Sequence, residues 1–343
     1  MPRAFKVVLL VSLLTLVALA GVVAGCGSSS SSSSSSSSAS ASSATSKAYK
    51  IGVTQIVTHP ALDAAVQGFK DALAAKGFTN VTYDVQNAQG DMSTNASIAQ
   101  KFASEQLDLI LGVSTPSTQA VVKAITTTPV VFTAVTDPVS AGLVTDPAAP
   151  TANVTGVSDQ MRVDPVLALV KKINPSAKNV GIVYNSGESN SVFIVKQVDT
   201  AAASMGLGVV KATASSSSEV QAAAQSLVGR VDAIIVIGDN TAVGALEAIV
   251  KVCDQNKIPL YVGDSDSVKR GAAAGYGPNY YELGQQAGNQ AALILGGTPI
   301  KDIPVIYAKD LPGNEQLSIN VKSAKAQGIT LPADLASQAV NKF

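Results

Sequence analysis

The chain carries the same succession of strands and helices twice. In each half, apolar runs of strand length alternate with helical periods, which is typical of a parallel sheet covered by helices. Three segments of the first half match three of the second in the same order: IGVTQIVTHPAL (51–62) with VGIVYNSGESNS (180–191), DLILGVSTPSTQAVVKAI (108–125) with DAIIVIGDNTAVGALEAI (232–249), and PVVFTAVTDPVSAG (129–142) with PLYVGDSDSVKRG (259–271). We therefore expect an α/β fold of two similar lobes, each an open parallel sheet.

Residues 1–25 have the features of a signal peptide. Arg3 and Lys6 precede an apolar run that ends at Cys26. About 20 apolar residues could instead span a membrane as an uncleaved anchor, but the small residues before the cysteine favour cleavage. The segment 23–26, Val-Ala-Gly-Cys, resembles a bacterial lipobox, which implies a diacylglycerol on the Cys26 thiol. We expect a protein held by lipid at the extracytoplasmic face of the cell membrane.

The segment 26–48 predicts a flexible tether between this anchor and the folded body. It contains an unbroken run of serines from Ser28 to Ser38, followed by a Ser/Ala/Thr tract. Such a composition cannot bury a hydrophobic core. The folded part should therefore begin near Tyr49.

Composition argues against several classes of function. Lys and Arg together number 24, as do Asp and Glu, so no basic excess points to nucleic acid. The single histidine and two cysteines make a metal site a poor prediction. No G-x-G-x-x-G after a strand, no phosphate-binding G-x-x-x-x-G-K-[ST] and no G-x-S-x-G elbow is present, so we expect neither a cofactor nor catalytic residues.

Polar residues follow the predicted strands at the points where the strands end. These carboxyl ends form one edge of a parallel sheet, where ligands bind, so we expect a cleft between the two lobes. The candidate ligand-binding residues are Gln55, His59, Ser114, Thr115, Thr136 and Asp137 in the first half, Tyr184, Asn185, Glu188, Ser189, Asn190, Asp239, Asn240, Thr241 and Asp264 in the second, and Tyr280 on the hinge side.

The chemistry of these residues suits a cationic or zwitterionic solute. Carboxylates occur among them without clustered Lys or Arg. An α-ammonium group needs a carboxylate and further acceptors, and an α-carboxylate can be held at a helix N-terminus such as the one predicted at Ser114. A free amino acid meets both conditions. We expect Glu188→Ala or Asp239→Ala to weaken binding tenfold or more with the fold intact.

Helix capping is the competing explanation for the same residues. Asp239, Asn240 and Thr241 are all residue types favoured at a helix N-cap, and Asp137 precedes a proline suited to a first helical turn. The run SGESN at 186–190 has more hydrogen-bonding groups than one cap requires, which favours a ligand site there.

The segments HPALDAAVQGF, YDVQNAQGD, VFTAVTDPVSAGLV, NVTGVSD, VGIVYNSGESNS, SLVGRVDAI, DNTAVGALEA and DSVKRGA occur in this order along the body. In them the chain resembles bacterial ABC-transporter solute-binding lipoproteins with the type I periplasmic-binding-protein fold. Within that class it is similar to a subfamily associated with tryptophan and other aromatic amino acids. The resemblance implies a small-molecule ligand, ABC permease subunits as partners, and hinged closure of the lobes.

The resemblance also implies three crossings between the lobes, near 155–157, 277–280 and 304–309. The first lobe would comprise 49–156 plus 280–304, and the second 157–279 plus 305–343. Two alternatives remain open at this point. The protein could be a ligand-sensing domain for a receptor kinase, or it could bind a purine or a sugar.

Overall fold

The structure is a computed structural model that describes residues 47–343. The predicted signal peptide at 1–25, the lipid site at Cys26 and all but the last two residues of the predicted tether lie outside the described residues. Within residues 47–343, no helix is long and apolar enough to cross a membrane.

Strands and helices alternate as the sequence predicts. The strands are β1 (Tyr49–Gln55), β2 (Val81–Asn87), β3 (Leu109–Val113), β4 (Val130–Val135), β5 (Val154–Ser158), β6 (Asn179–Tyr184), β7 (Gly208–Thr213), β8 (Ala233–Val236), β9 (Leu260–Val262), β10 (Ala274–Pro278), β11 (Ile306–Tyr307), β12 (Glu315–Ile319) and β13 (Asn341–Lys342). The helices are α1 (Pro60–Ala75), α2 (Met92–Ala103), α3 (Thr115–Ala124), α4 (Asp164–Ile173), α5 (Ser189–Ser204), α6 (Val220–Gln225), α7 (Asn240–Gly244), α8 (Leu246–Asn256), α9 (Ser265–Lys269), α10 (Tyr280–Leu295), α11 (Val321–Ala326) and α12 (Ala333–Gln338).

The strands form two sheets. In each sheet, the five strands that come first along the chain have the same spatial order. The first sheet has the order β11-β5-β4-β3-β1-β2, and all of its pairs are parallel. The second has the order β13-β12-β10-β9-β8-β6-β7, and β12 runs antiparallel to β10. The order β5-β4-β3-β1-β2 in one sheet corresponds to β10-β9-β8-β6-β7 in the other. This correspondence confirms the predicted α/β fold of two similar lobes with parallel-sheet cores.

A bulge in β4 accounts for a one-residue difference between the two halves. The segment 129–142 is one residue longer than its counterpart 259–271. The pairing of β4 with β5 shifts between Thr133 and Val135, which leaves Ala134 as the extra residue, with a φ of 56°. A bulge re-aims the side chains that follow it, here at the end of β4 that faces the second lobe.

The chain passes between the two sheets three times, as the fold class predicts. The crossings follow β5, separate β10 from α10, and separate β11 from β12. The expected boundary between 156 and 157 falls inside β5, which pairs with β4 as far as Ser158. The expected second lobe from 305 onward includes β11, but Ile306 and Tyr307 pair with β5 in the first sheet. A two-residue strand has no periodicity from which to predict it.

Glycines on α1 and α10 allow these two helices to pack at very short range. A Cβ atom added to Gly284 would lie 2.0 Å from the carbonyl oxygen of Ala65, and one added to Gly68 would lie 2.1 Å from that of Tyr281. The chain enters α10 directly from β10 of the second sheet. The contact with α1 therefore holds α10 on the first lobe after the second crossing. It also places Tyr280, at the start of α10, beside the start of α1.

Candidate functional site

An inner cavity lies between the carboxyl ends of the two sheets. Its lining comes from both lobes and consists of His59, Ala61, Leu62, Ala134, Thr136, Asp159, Asn190, Gly238, Asp239, Asn240, Val243, Gly263, Asp264 and Tyr280. Of the predicted site residues, His59, Thr136, Asn190, Asp239, Asn240, Asp264 and Tyr280 therefore meet here.

Asp159 is the cavity carboxylate that the sequence prediction missed. It directly follows β5, is only 7% exposed, and its Oδ2 accepts a hydrogen bond from the Tyr280 hydroxyl at 2.8 Å. Its Oδ1 has no partner. Burial raises the pKa of Asp159, against the opposing effects of the Tyr280 and Thr136 hydroxyls. A buried carboxylate with one free oxygen is an acceptor for a cationic ligand group.

Asp264 is a second carboxylate in the lining. Its Oδ1 accepts a hydrogen bond at 2.7 Å from the backbone N–H of Ser267 and so caps α9. Burial raises the pKa of Asp264 as well. The residues that line the inner cavity include no lysine or arginine. The cavity is therefore acidic without an internal counter-charge.

Asp239 has its oxygens occupied by its own lobe. Oδ1 accepts from the backbone N–H of Ala242 at 2.6 Å and caps α7, and Oδ2 accepts from Asn185 N and Ser191 Oγ, both at 2.6 Å. Burial and the nearby charge of Glu188 raise the pKa of Asp239 to about 6. Asp239 thus fastens the loop after β6 to α7, and it shapes the cavity wall by doing so.

Glu188 orients two amides that line the cavity. Its Oε2 accepts from the side-chain amide of Asn190 at 3.1 Å and from that of Asn240, and its Oε1 accepts from the Thr241 hydroxyl at 2.9 Å. The Asn190 amide also donates to the Gly238 carbonyl at 2.8 Å. These bonds hold Asn190 in one orientation and leave its buried Oδ1 without a partner.

Two helix N-termini without side-chain caps approach each other at the cleft. No side chain caps α3 at Ser114 or α5 at Glu188, and the two helices pack together across the lobes. The hydroxyls of Ser114, Thr115 and Ser189 are buried without partners, and Ser114 and Thr115 are each 1% exposed. Free N–H groups and the helix dipole favour an anion at such a place. The unpaired hydroxyls are donors for the same anion.

His59 precedes α1 and faces the cavity from the first lobe. The side chain is 7% exposed, does not cap the helix, and its Nδ1 has no partner. Burial, with the positive charge of Arg270, lowers the pKa of His59 from 6.5 to about 3. The imidazole is therefore neutral across the physiological range of pH.

A second, outer cavity collects other predicted residues. Asn185, Glu188, Asn240 and Thr241 line it from the second lobe, opposite Ile56, Val57 and Met92 of the first.

The remaining predicted residues have local roles. The Gln55 amide donates to Val57 O and to Asp63 in the turn before α1, Asp137 accepts from the backbone N–H groups of Val139 and Ser140, and Tyr184 packs on the core of the second lobe. Ligand contact by these three stays a prediction.

Metal binding has no support in this arrangement. Among residues 47–343, no group of three or more His, Cys, Asp or Glu side chains is placed to hold a metal ion. The one cysteine in that range, Cys253, is buried, and burial raises its thiol pKa to about 12, which disfavours the thiolate that binds metals.

Comparison with known proteins identifies the family. Residues 50–342 match the family model described as "ABC transporter substrate binding protein". A "Tyrosine-binding protein" of Clostridioides difficile (strain R20291) is 42% identical over 262 residues, which is 76% of each chain. These matches confirm the resemblance seen in the sequence.

Two solved structures have the same fold. An ABC domain from Streptococcus pneumonia in complex with L-Trp is 32% identical and has a TM-score of 0.82, with 87% of this chain and all of the other covered. The ligand-free, open structure of a substrate-binding protein with adhesive properties from Clostridium difficile is 40% identical with a TM-score of 0.64, with 86% and 99% covered. A family match over almost the whole described body indicates a ligand-binding protein rather than an enzyme, and the chain belongs to the ABC transporter substrate-binding proteins.

Proposed function

We propose that the protein binds an aromatic amino acid in the inner cavity and serves as the receptor of an ABC importer. The observation that carries this proposal is the pairing of two unlike half-sites in adjoining cavities of the cleft. Asp159, a buried carboxylate with a free oxygen, lines the inner cavity, whereas α3 and α5 begin at the outer cavity without side-chain caps and with unpaired hydroxyls beside them; Asn240 lines both cavities. Only a zwitterion complements both.

The α-ammonium group is bound by oxygens that have no partner in the protein. Asp159 Oδ1 and Asn190 Oδ1 are both buried and free, and they come from opposite sides of the cleft. Asp264 adds a second carboxylate to the lining. A hydrogen bond to a charged group contributes about 1.5–3 kcal/mol, so the loss of Asp159 should weaken binding strongly.

The α-carboxylate is bound where α3 and α5 begin. The hydroxyls of Ser114, Thr115 and Ser189 can donate to it together with the first backbone N–H groups of the two helices. Each helix belongs to a different lobe, so a carboxylate held by both would join the lobes.

Closure of the lobes around the ligand follows from this division. The side-chain hydrogen bonds described above for Glu188 and Asp239 stay within the second lobe, so they do not hold the cleft closed. A ligand that touches both lobes stabilises the closed form by its differential affinity. The higher TM-score with the L-Trp complex than with the ligand-free open structure, despite lower identity, supports a closed arrangement here.

An aromatic side chain is the ligand class that the relatives favour. One is named for tyrosine and another was solved with L-Trp. In this chain Leu62 from the first lobe and Val243 from the second line the cavity and offer apolar surface to a ring.

Delivery to a membrane permease follows from the family and from the N-terminal sequence. A lipid on Cys26 and a serine-rich tether would keep the binding lobes near the permease at the extracytoplasmic surface. Mass spectrometry of the membrane fraction tests the anchor, because a diacylglyceryl mass should be present on Cys26 and absent in Cys26→Ser. Recovery of both forms without lipid would contradict this placement.

The binding proposal is tested by thermal shift of the purified protein against the twenty amino acids, with purines and simple sugars included. A ligand that binds only the folded state raises the unfolding midpoint by mass action. We expect a rise confined to aromatic amino acids. A rise with a purine or a sugar alone would overturn the amino-acid site.

A further inference from the structure

His59 contributes a polar atom to the inner cavity that the proposed ammonium and carboxylate sites leave unused. Its Nδ1 is buried without a partner, although an unpaired buried nitrogen is costly. Tyr280, by contrast, has Asp159 as a partner, and Asn240 has Glu188. Nδ1 of His59 therefore gains a hydrogen-bond partner only when a ligand fills the cavity.

The order of the first sheet places His59 at one end of a row of residues that follow its strands. Asp159 follows β5, Thr136 follows β4, Ser114 follows β3, and His59 comes after β1 at the start of α1. Neighbouring strands lie about 4.8 Å apart. An amino acid with its ammonium near Asp159 and its carboxylate near Ser114 would direct its side chain past Leu62 toward His59.

The imidazole is suited to accept a hydrogen bond rather than to bind an anion. Burial and Arg270 keep it neutral. With Nδ1 as acceptor, the ring proton is on Nε2. A neutral hydroxyl is the ligand group that matches such an acceptor.

We propose that His59 Nδ1 accepts a hydrogen bond from a hydroxyl at the far end of the ligand's aromatic ring, so that the cavity selects tyrosine over phenylalanine. This inference rests on the proposed amino-acid site and adds a specificity-determining residue to it. A site that pairs with a substrate hydroxyl rejects the analogue without one, because its own buried group is then left unpaired. We expect tyrosine to bind about 100-fold more tightly than phenylalanine.

Calorimetric titration of the purified protein and of His59→Leu with both amino acids tests this assignment. The substitution should weaken tyrosine binding about 100-fold and leave phenylalanine binding nearly unchanged. Leu62→Ala is the matched control, because it removes apolar contact with the ring and should weaken both ligands by a similar factor. Equal affinity of the unaltered protein for the two amino acids would overturn the role of His59.

A measurement on the unaltered protein keeps the inference testable if His59→Leu does not fold. We expect 4-fluorophenylalanine, which has no donor at the ring position, to bind like phenylalanine. Binding as tight as that of tyrosine would overturn the hydrogen bond to His59. If no aromatic amino acid binds at all, the proposed function fails and this inference fails with it, whereas equal binding of tyrosine and phenylalanine rejects only the role of His59.

Discussion

Ser114 and Gly238 occupy equivalent positions in the two lobes, and both have a positive φ, of 83° and 58°. Each directly precedes the turn into a helix, after β3 in one lobe and shortly after β8 in the other. Glycine adopts this conformation without a steric penalty, whereas serine does not. The first lobe therefore holds a strained residue where the second holds glycine, and the buried, unpaired hydroxyl of Ser114 supplies a reason for it.

Ser114→Gly should stabilise the fold and weaken the ligand. Relief of a left-handed backbone contributes about 1–3 kcal/mol, and the added freedom of glycine in the unfolded chain offsets about 0.4–1 kcal/mol of it. We expect the free energy of unfolding to rise by about 1 kcal/mol and amino-acid affinity to fall about tenfold. Urea unfolding and calorimetric titration measure the two effects.

Ser114→Ala separates the two causes. It removes the same hydroxyl but keeps the strained φ, so it should weaken binding as much as glycine does without a gain in stability. Ligand affinity that is unchanged in both variants would remove Ser114 from the site.

The pattern of strands was predictable because periodicity and internal repetition are local properties of the sequence. The matches between 51–62 and 180–191 and between the two later pairs correspond to strands in the same spatial order. Asp159 was also within reach of the same argument. It follows the strand VTGVS as Asp264 follows β9, but the end of that strand was not included among the predicted ones.

Other features depend on distances that no sequence pattern contains. Asp239 and Asp264 both cap short helices, yet only Asp239 also accepts bonds from Asn185 and Ser191. The NH2 group of Asn190 points to acceptors within its own lobe, namely Glu188, Ser191 and the Gly238 carbonyl, and this orientation leaves Oδ1 free. Whether a polar residue caps, braces or binds is therefore decided by the folded geometry.

Asp159→Asn should weaken binding of the amino acid by about 100-fold, since a charged partner of the ammonium group becomes neutral. The amide oxygen can still accept the Tyr280 hydrogen bond, so the lobes should fold normally. Burial raises the pKa of Asp159. Affinity for the ligand should therefore also decrease as the pH is lowered through that raised pKa, because the carboxylate then takes up a proton. Titrations over a range of pH measure both effects.

Asp137→Asn is the matched comparison for this substitution. Asp137 follows β4 but lies outside the lining of the inner cavity and accepts only from nearby backbone N–H groups. Its substitution should weaken binding far less than Asp159→Asn does. An equal loss in both variants would point to a general effect of charge and contradict a direct contact by Asp159.

Asp239→Ala should cost stability, which the sequence alone did not predict. The change removes the cap of α7 and leaves the donors of Asn185 and Ser191 without a partner. We expect a loss of about 3 kcal/mol in the free energy of unfolding. Asp91→Ala, which removes an exposed cap of α2, should cost only about 1 kcal/mol. Equal losses by urea unfolding would contradict the bracing role of Asp239.

His59 should make the stability of the ligand-free protein fall in mild acid. The unfolded chain takes up a proton at this residue near pH 6.5, whereas the folded protein does so only at about pH 3, so protonation favours unfolding between these values. Uptake of this proton by the unfolded chain lowers the free energy of unfolding by about 2 kcal/mol between pH 7 and pH 5. His59→Gln removes this contribution and leaves the other titrating groups in place, so the difference in unfolding free energy between the two proteins should shift by that amount in urea titrations. A difference that is constant with pH would mean that the imidazole protonates freely in the folded state, and it could then not act as a neutral acceptor in the cavity.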